Sequence, residues 1–99
     1  MPVSLPYAVF YETIPVSSTA TVLGTTGAKG DIVKSLVITV STAASSTVAL
    51  IDNATSYSIM AANTPIGVYT IPLDAQSVSG AWKITTGAGA SVFATGQFT

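Results

Sequence analysis

The sequence predicts an all-β domain, an antiparallel β-sandwich of jelly-roll type, preceded by an extended N-terminal arm. Valine, isoleucine and threonine supply 34 of the 99 residues, and these β-branched side chains fit a pleated sheet better than a helix. Short segments alternate apolar and polar residues, and clusters of turn-forming residues separate them. Seven or eight short strands at regular spacing are typical of a sandwich or a jelly roll.

Two segments carry the clearest alternation. Within residues 77–86, one face is expected to hold Val78, Gly80, Trp82 and Ile84. Within residues 31–41, the inward face is expected to hold Leu36, Ile38 and Val40, while Val33 and Val37 fall on the other face. A strand that is apolar on both faces is predicted to be covered on both sides or to lie at a contact between subunits.

Further strands and turns are predicted from the same pattern. Strands are predicted at residues 19–23, 47–51, 56–61, 68–73 and 91–98. Turn-prone residues fall at 24–30, 42–46, 52–54, 63–67, 74–76 and 87–90. The chain is therefore divided into an extended arm, residues 1–16, and a β-sandwich domain, residues 17–99.

The arm is apolar and contains three prolines, which favour extended backbone and disfavour a central strand. Aromatic side chains are common anchors of protein interfaces, so the arm is expected to bind a partner surface. The candidate contact residues are Leu5, Tyr7, Val9, Phe10, Tyr11 and Ile14. The alternative is that the arm folds back as the first strand of its own sandwich.

The chain carries little charge, with four acidic residues and three lysines, and it has no arginine, histidine or cysteine. Nucleic acid is disfavoured as a partner because its footprint needs clustered Lys or Arg. Disulfides and thiolate metal sites are excluded. No membrane span or targeting segment is predicted, because prolines and Glu12 interrupt the apolar N-terminus. Low charge suits a protein fixed in an assembly, and also a neutral soluble domain.

A glycine-rich segment occurs twice, as TTGAKGD at residues 25–31 and as TTGAGAS at residues 85–91. A phosphate-binding loop needs Lys and then Ser or Thr after its final glycine, and a helix after that. Here Asp31 follows Gly30 and a strand pattern comes next. Both segments are therefore predicted to be hairpin turns in which glycine supplies positive φ.

No arrangement of side chains points to catalysis or to a metal. The usual general base is missing without histidine, and no SxxK arrangement activates a serine. Asp31, Asp52 and Asp74 lack the spacing of a calcium loop, and each is expected to cap backbone N–H groups at a turn. Trp82 is expected to anchor the core rather than to stack on a sugar. The chain is predicted not to be an enzyme and to use no cofactor.

The pattern LGTTGAKGD…LVITVSTAASSTVALID…IPL…SVSGAWKITTGAGASVFATGQF covers residues 23–98. It resembles small structural proteins of tailed bacteriophages, and most of all those that decorate or cement the capsid. The segments TGAKGD, SGAWKITTGA and SVFATGQF carry most of the resemblance. It implies a homotrimer on the outer surface of the virion capsid, made in the cytoplasm of the host bacterium. Its partner would be the major capsid protein, and its role would be to resist the pressure of packaged DNA.

Two other functions fit the same sequence. A tail-fibre or baseplate module would bind host glycan or another virion protein, and Tyr57 and Tyr69 are its candidate stacking residues. An ordinary cellular adaptor domain would be a stable monomer with no affinity for phage shells.

Overall fold

The protein is a β-sandwich, as predicted. The computed structural model describes residues 10–99, which form two antiparallel four-stranded sheets packed on each other. The first sheet has the strand order β1-β8-β3-β6 and the second has the order β2-β7-β4-β5. The strands are β1 (Phe10–Ile14), β2 (Thr21–Val22), β3 (Ile32–Val40), β4 (Val48–Asp52), β5 (Thr55–Met60), β6 (Gly67–Gln76), β7 (Trp82–Thr85) and β8 (Ala90–Gln97).

The strands pair as if one long hairpin had been wound into two sheets. β1 pairs with β8, β2 with β7, β3 with β6 and β4 with β5. Additional pairing of β3 with β8 and of β4 with β7 completes the sheets. Among these eight strands, only β4 and β5 follow one another within one sheet, and every other connection crosses between the sheets.

Each sheet turns a row of apolar side chains toward the other. The buried core consists of Ile14, Leu23, Val33, Leu36, Ile38, Val40, Val48, Leu50, Met60, Trp82, Ile84, Ala90, Val92 and Ala94. Burial of one large aliphatic side chain contributes about 1.5–3 kcal/mol, so this row holds the sheets together. The predicted inward face of β3 is confirmed.

One residue of β3 faces the opposite way from the prediction. The register shifts between Val33 and Ser35 in both pairings of this strand, and such an irregularity resets the alternation of faces. Val33 and Leu36 consequently both lie in the core, although strict alternation put Val33 on the outer face. Val37 remains on the outer face and is half-buried.

The strand predicted over residues 77–86 is shorter than expected, because β7 begins only at Trp82. Trp82 and Ile84 are buried, as predicted, with 6% and 0% of their surface exposed. Val78 lies in the preceding loop and is 72% exposed, so the prediction that it faces inward is wrong.

Residues 10–14 belong to the sandwich. β1 forms an edge of the first sheet, with Phe10 opposite Gly96 and Ile14 opposite Val92. The Ile14 side chain is 1% exposed and part of the core. For these five residues the structure takes the alternative of a first strand, instead of an arm that ends at residue 16. Leu5, Tyr7 and Val9 lie outside the described residues.

Candidate interaction surfaces

The two glycine-rich segments connect the sheets. The first lies between β2 and β3 and the second between β7 and β8, so each carries the chain from the second sheet to the first. The prediction of hairpin turns is therefore wrong, although glycine does supply positive φ at Gly24, Gly27, Gly30, Gly87 and Gly89. Gly27 is also required by space, since an added Cβ would collide with the Ala81 side chain.

The first crossing holds the last residue of the sequence. The backbone N–H groups of Thr25, Thr26 and Gly27 donate to the main-chain oxygen of Thr99 over 3.0, 3.3 and 3.3 Å. Converging N–H groups of this kind form a concave site for an anion or a carbonyl oxygen. Here the protein's own backbone fills that site, so the donors are engaged internally.

Asp31 also binds Thr99. Its carboxylate accepts hydrogen bonds from the Thr99 N–H and hydroxyl, each at 3.1 Å, and from the Ala28 N–H at 3.0 Å. Its main-chain oxygen accepts from Trp82 Nε1 at 2.9 Å and from the Ser77 N–H at 2.8 Å. We call Thr25, Thr26, Gly27, Asp31 and Thr99 the Thr99 clasp. Its hydrogen bonds stabilise the fold by holding Thr99 in place.

Asp52 organises a second loop in a similar way. Its carboxylate accepts from three consecutive backbone donors, the N–H groups of Val78, Ser79 and Gly80, at 3.0, 3.3 and 3.2 Å. Asp74 instead forms an ion pair with Lys34 over 3.1 Å, between two exposed side chains. Backbone capping is therefore confirmed for Asp31 and Asp52, whereas Asp74 does not follow that prediction.

The acidic side chains of residues 10–99 do not converge on one point. Glu12 accepts a hydrogen bond from the Gly24 N–H at 2.8 Å, which joins β1 to the end of β2, and the three aspartates are engaged as described above. Within that range no three side chains of the metal-ligating types lie together.

No helix in the described part of the chain has the length and apolar character needed to cross a membrane.

An aromatic pair lies on the outer face of the first sheet. Tyr11 of β1 and Phe93 of β8 stack with ring centroids 4.9 Å apart and planes 11° from parallel. Tyr11 is 68% exposed and Phe93 is 40% exposed, and the adjacent Phe10 is 59% exposed. The pair is thus held in place by stacking yet open to solvent.

The aromatic pair lies among uncharged side chains. The register places Thr13, Phe93, Val37 and Thr70 side by side across the four strands, with Tyr11, Thr95, Ser35 and Pro72 in the next row. We call these eight residues the aromatic face. A shallow groove lined by Thr13, Ile14, Pro15, Thr39, Ser91, Val92 and Phe93 continues it at one end. The eight residues carry no charge, and the exposed Lys34–Asp74 ion pair lies next to Ser35 and Pro72 at their border. Hydroxyl groups around aromatic side chains suit contact with another protein.

The predicted contact residues differ in their exposure to solvent. Phe10 and Tyr11 are exposed, whereas the Ile14 side chain is turned into the core. Phe93 was not among the predicted contact residues, although one signal identifies it. It stands between Val92 and Ala94, both buried, and strict alternation then directs Phe93 outward.

The two tyrosines considered for sugar stacking do not form one platform. Tyr57 is 53% exposed on β5 of the second sheet. Tyr69 lies on β6 of the first sheet, packs against the core and donates its hydroxyl to the Pro65 carbonyl at 2.7 Å.

Comparison with models of protein families, with curated proteins and with solved structures finds no match to this chain.

Proposed function

We propose that the chain is a non-enzymatic structural protein that attaches to a larger protein assembly through the aromatic face. The observation that carries the proposal is the exposed stack of Tyr11 on Phe93 among the uncharged residues of the aromatic face. Aromatic side chains that are ordered before binding lose little conformational freedom when they are buried. Such residues are frequent hot spots of interfaces.

The assembly that we propose is the outer surface of a tailed-phage capsid, with the major capsid protein as partner and a homotrimer as the bound form. The resemblance of residues 23–98 to phage decoration proteins supports this choice. The nested pairing of β1 with β8, β2 with β7, β3 with β6 and β4 with β5 supports a jelly-roll topology, an architecture that viral capsid domains use. The low charge of the chain is compatible with permanent residence in a shell.

In this proposal the protein acts by binding, without a chemical step. A trimer presents three aromatic faces at once, so weak single contacts become strong through effective concentration. Each bound trimer stabilises only the shell geometry that it fits, and this shifts the equilibrium away from disassembled or immature shells.

Charge substitutions on the aromatic face test this proposal. Tyr11→Asp and Phe93→Asp are each expected to weaken co-sedimentation with undecorated, expanded phage heads by about tenfold or more, since loss of an interface hot spot costs about 2 kcal/mol or more. The matched control is Tyr57→Asp, at an exposed tyrosine of the other sheet, which is expected to bind like the wild type. Undiminished binding by Tyr11→Asp and Phe93→Asp would contradict the proposal.

Attachment is expected to survive high salt, because the aromatic face has no charged side chain. Raising the ionic strength from about 0.1 M to about 1 M shortens the Debye length from about 10 Å to about 3 Å, which would weaken a charge-driven interface. The measurement is the shell-bound fraction after washing across that range. Release by moderate salt alone would show that charges hold the protein in place.

A second candidate function is a tail-fibre or baseplate module that binds host glycan. The same exposed aromatic pair favours it, because sugar rings stack on aromatic side chains and hydroxyl groups surround the pair. A glycan array distinguishes the two: specific hits that disappear in Tyr11→Asp support this candidate, and an array without hits counts against it.

A further inference from the structure

We infer that copies of this chain exchange β1, so that each aromatic face is built by two copies, with Tyr11 of one copy stacked on Phe93 of the next. The inference rests on the homotrimer included in the proposed function. It is tested in solution without shells, and the test separates loss of the exchange from loss of the trimer and from loss of capsid attachment.

β1 is an element that a neighbouring copy can supply. It lies at the border of the first sheet, and among the described strands it pairs only with β8. Its Ile14 side chain belongs to the core, and Tyr11 stacks on Phe93. Glu12 accepts a hydrogen bond from the Gly24 N–H. Because the copies are identical, β1 of a neighbour can make the same contacts in the same register, so the two arrangements differ mainly in the connection that follows β1.

That connection, residues 15–20, is strained. It carries the chain from β1 in the first sheet to β2 in the second. Ser17 and Ala20 adopt positive φ, 59° and 45°. A residue with a Cβ rarely adopts this conformation, because the Cβ crowds the following carbonyl oxygen. Pro15 fixes its own φ and holds the residue before it extended, so the chain leaves β1 in a straight line before it has to bend.

The other positive-φ positions show how unusual this connection is. Elsewhere in residues 10–99 they are occupied by glycine, asparagine or aspartate, which tolerate the left-handed conformation. These are Gly24, Gly27, Gly30, Asn53, Asn63, Asp74, Gly87 and Gly89. Within that range, only the connection after β1 places residues of other types in this conformation. If it extended toward a neighbouring copy, both residues would return to negative φ.

Hydrogen bonds to Thr85 and Thr86 oppose this release. The Ser18 N–H donates to Thr86 Oγ1 at 3.0 Å, and the Ala20 N–H donates to Thr85 Oγ1 at 2.9 Å. The Thr86 hydroxyl donates to the Pro15 carbonyl at 2.7 Å, and a neighbour that brings its own Pro15 with β1 preserves this bond. Left-handed strain at one residue costs at least as much as one neutral hydrogen bond contributes. The balance therefore favours exchange when copies are close together.

The exchange fits a closed ring. Each copy gives its β1 to the next copy and receives one from the previous copy, which is a head-to-tail contact that closes when the rotation allows. Residues 15–20 in extended form span about 20 Å at about 3.3 Å each, twice the distance of about 10 Å between packed sheets. In a ring of three copies, Tyr11 and Thr13 of each aromatic face come from one copy and its other residues from the next.

A disulfide experiment tests the exchange. The chain has no cysteine, so an introduced pair has no competitor. Thr13→Cys with Phe93→Cys places the two thiols directly opposite each other on β1 and β8, within the range that a disulfide bridges. With β1 exchanged, each disulfide joins two copies, and the oxidised protein is expected at three times 10.0 kDa on a non-reducing denaturing gel. Each single-cysteine variant is the control, since one cysteine links at most two copies.

Glycine substitutions test the role of the connection. Ser17→Gly with Ala20→Gly removes the strain, because glycine adopts positive φ readily. This variant is expected to fall to 10.0 kDa by light scattering at dilutions where the wild type keeps three times that mass. The matched control is Ala43→Gly with Ala44→Gly, at two exposed loop residues without positive φ, and it is expected to keep the wild-type mass.

The outcomes are distinct. A trimer in light scattering that runs at 10.0 kDa on the gel overturns the exchange and leaves the trimer intact. A wild type that is monomeric at all concentrations overturns both. A covalent trimer that does not bind phage heads contradicts capsid attachment alone. A glycine variant that behaves like its control shows that the connection does not drive the exchange. Circular dichroism verifies folding, and Tyr11→Cys with Thr95→Cys, the adjacent pair on the same strands, replaces the first cysteine pair if that variant is unfolded.

Discussion

The Asp52 carboxylate satisfies three consecutive backbone N–H groups, and its neutralisation is expected to destabilise the fold. Asp52→Asn replaces one acceptor oxygen with an amide group that only donates, so at least one donor in the loop is left unpaired. The expected loss is about 1–3 kcal/mol in the free energy of unfolding, measured by denaturant titration.

Asp74→Asn is the matched control for that substitution. Asp74 has positive φ, which Asn tolerates, and its ion pair with Lys34 joins two exposed side chains. Such pairs contribute about 0–1 kcal/mol, so a small effect is expected. Equal losses for the two variants would show that the Asp52 contacts are not needed for stability.

At the scale of single residues, the sequence predicted that Asp52 caps backbone N–H groups, but it did not predict which N–H groups these are. The position of Asp52 after a strand predicted a backbone cap, and the structure confirms it. The capped loop lies more than 20 residues further along the chain, however, and was predicted as strand. Local alternation cannot report a hydrogen bond that forms only when distant segments meet, so Val78 was placed on the wrong side.

At the scale of elements, β1 links the N-terminal segment to the core, and two truncations separate their contributions. Removal of residues 2–9 takes away no described strand and is expected to change the melting temperature by only a few degrees. Removal of residues 2–16 deletes β1 with the buried Ile14, and loss of one such side chain alone costs about 2–5 kcal/mol. A large drop in melting temperature, or loss of the cooperative transition, is expected. Equal melting temperatures would show that β1 is dispensable.

The strands were largely predictable, and their sheet membership was not. Each segment predicted as a strand outside the arm overlaps one of β2 to β8, because β-branched alternation between turn residues is a local signal. The glycine-rich crossings were mistaken for hairpins, since both kinds of connection use glycine at positive φ. The choice between them depends on which strands pair, and that is decided by long-range packing. The exposed Tyr11–Phe93 stack likewise needs the β1–β8 pairing.

At the scale of the whole molecule, the proposed homotrimer predicts a closed assembly of defined size. The mass by light scattering is expected to be three times 10.0 kDa and to stay constant on dilution, as for an obligate ring. A mass that grows with concentration would mean that the copies form open chains instead of a closed trimer.

Trp82 is the only tryptophan of the chain, and it reports on the point where the two sheets are fastened together. Its indole belongs to β7 of the second sheet, and its N–H group donates to Asp31, which leads into β3 of the first sheet and secures Thr99. The intrinsic fluorescence of the unlabelled protein therefore comes from a single indole at this corner. When the corner opens, water reaches the ring and the emission shifts to longer wavelengths. Local opening at this corner can thus be timed against global unfolding without adding a dye.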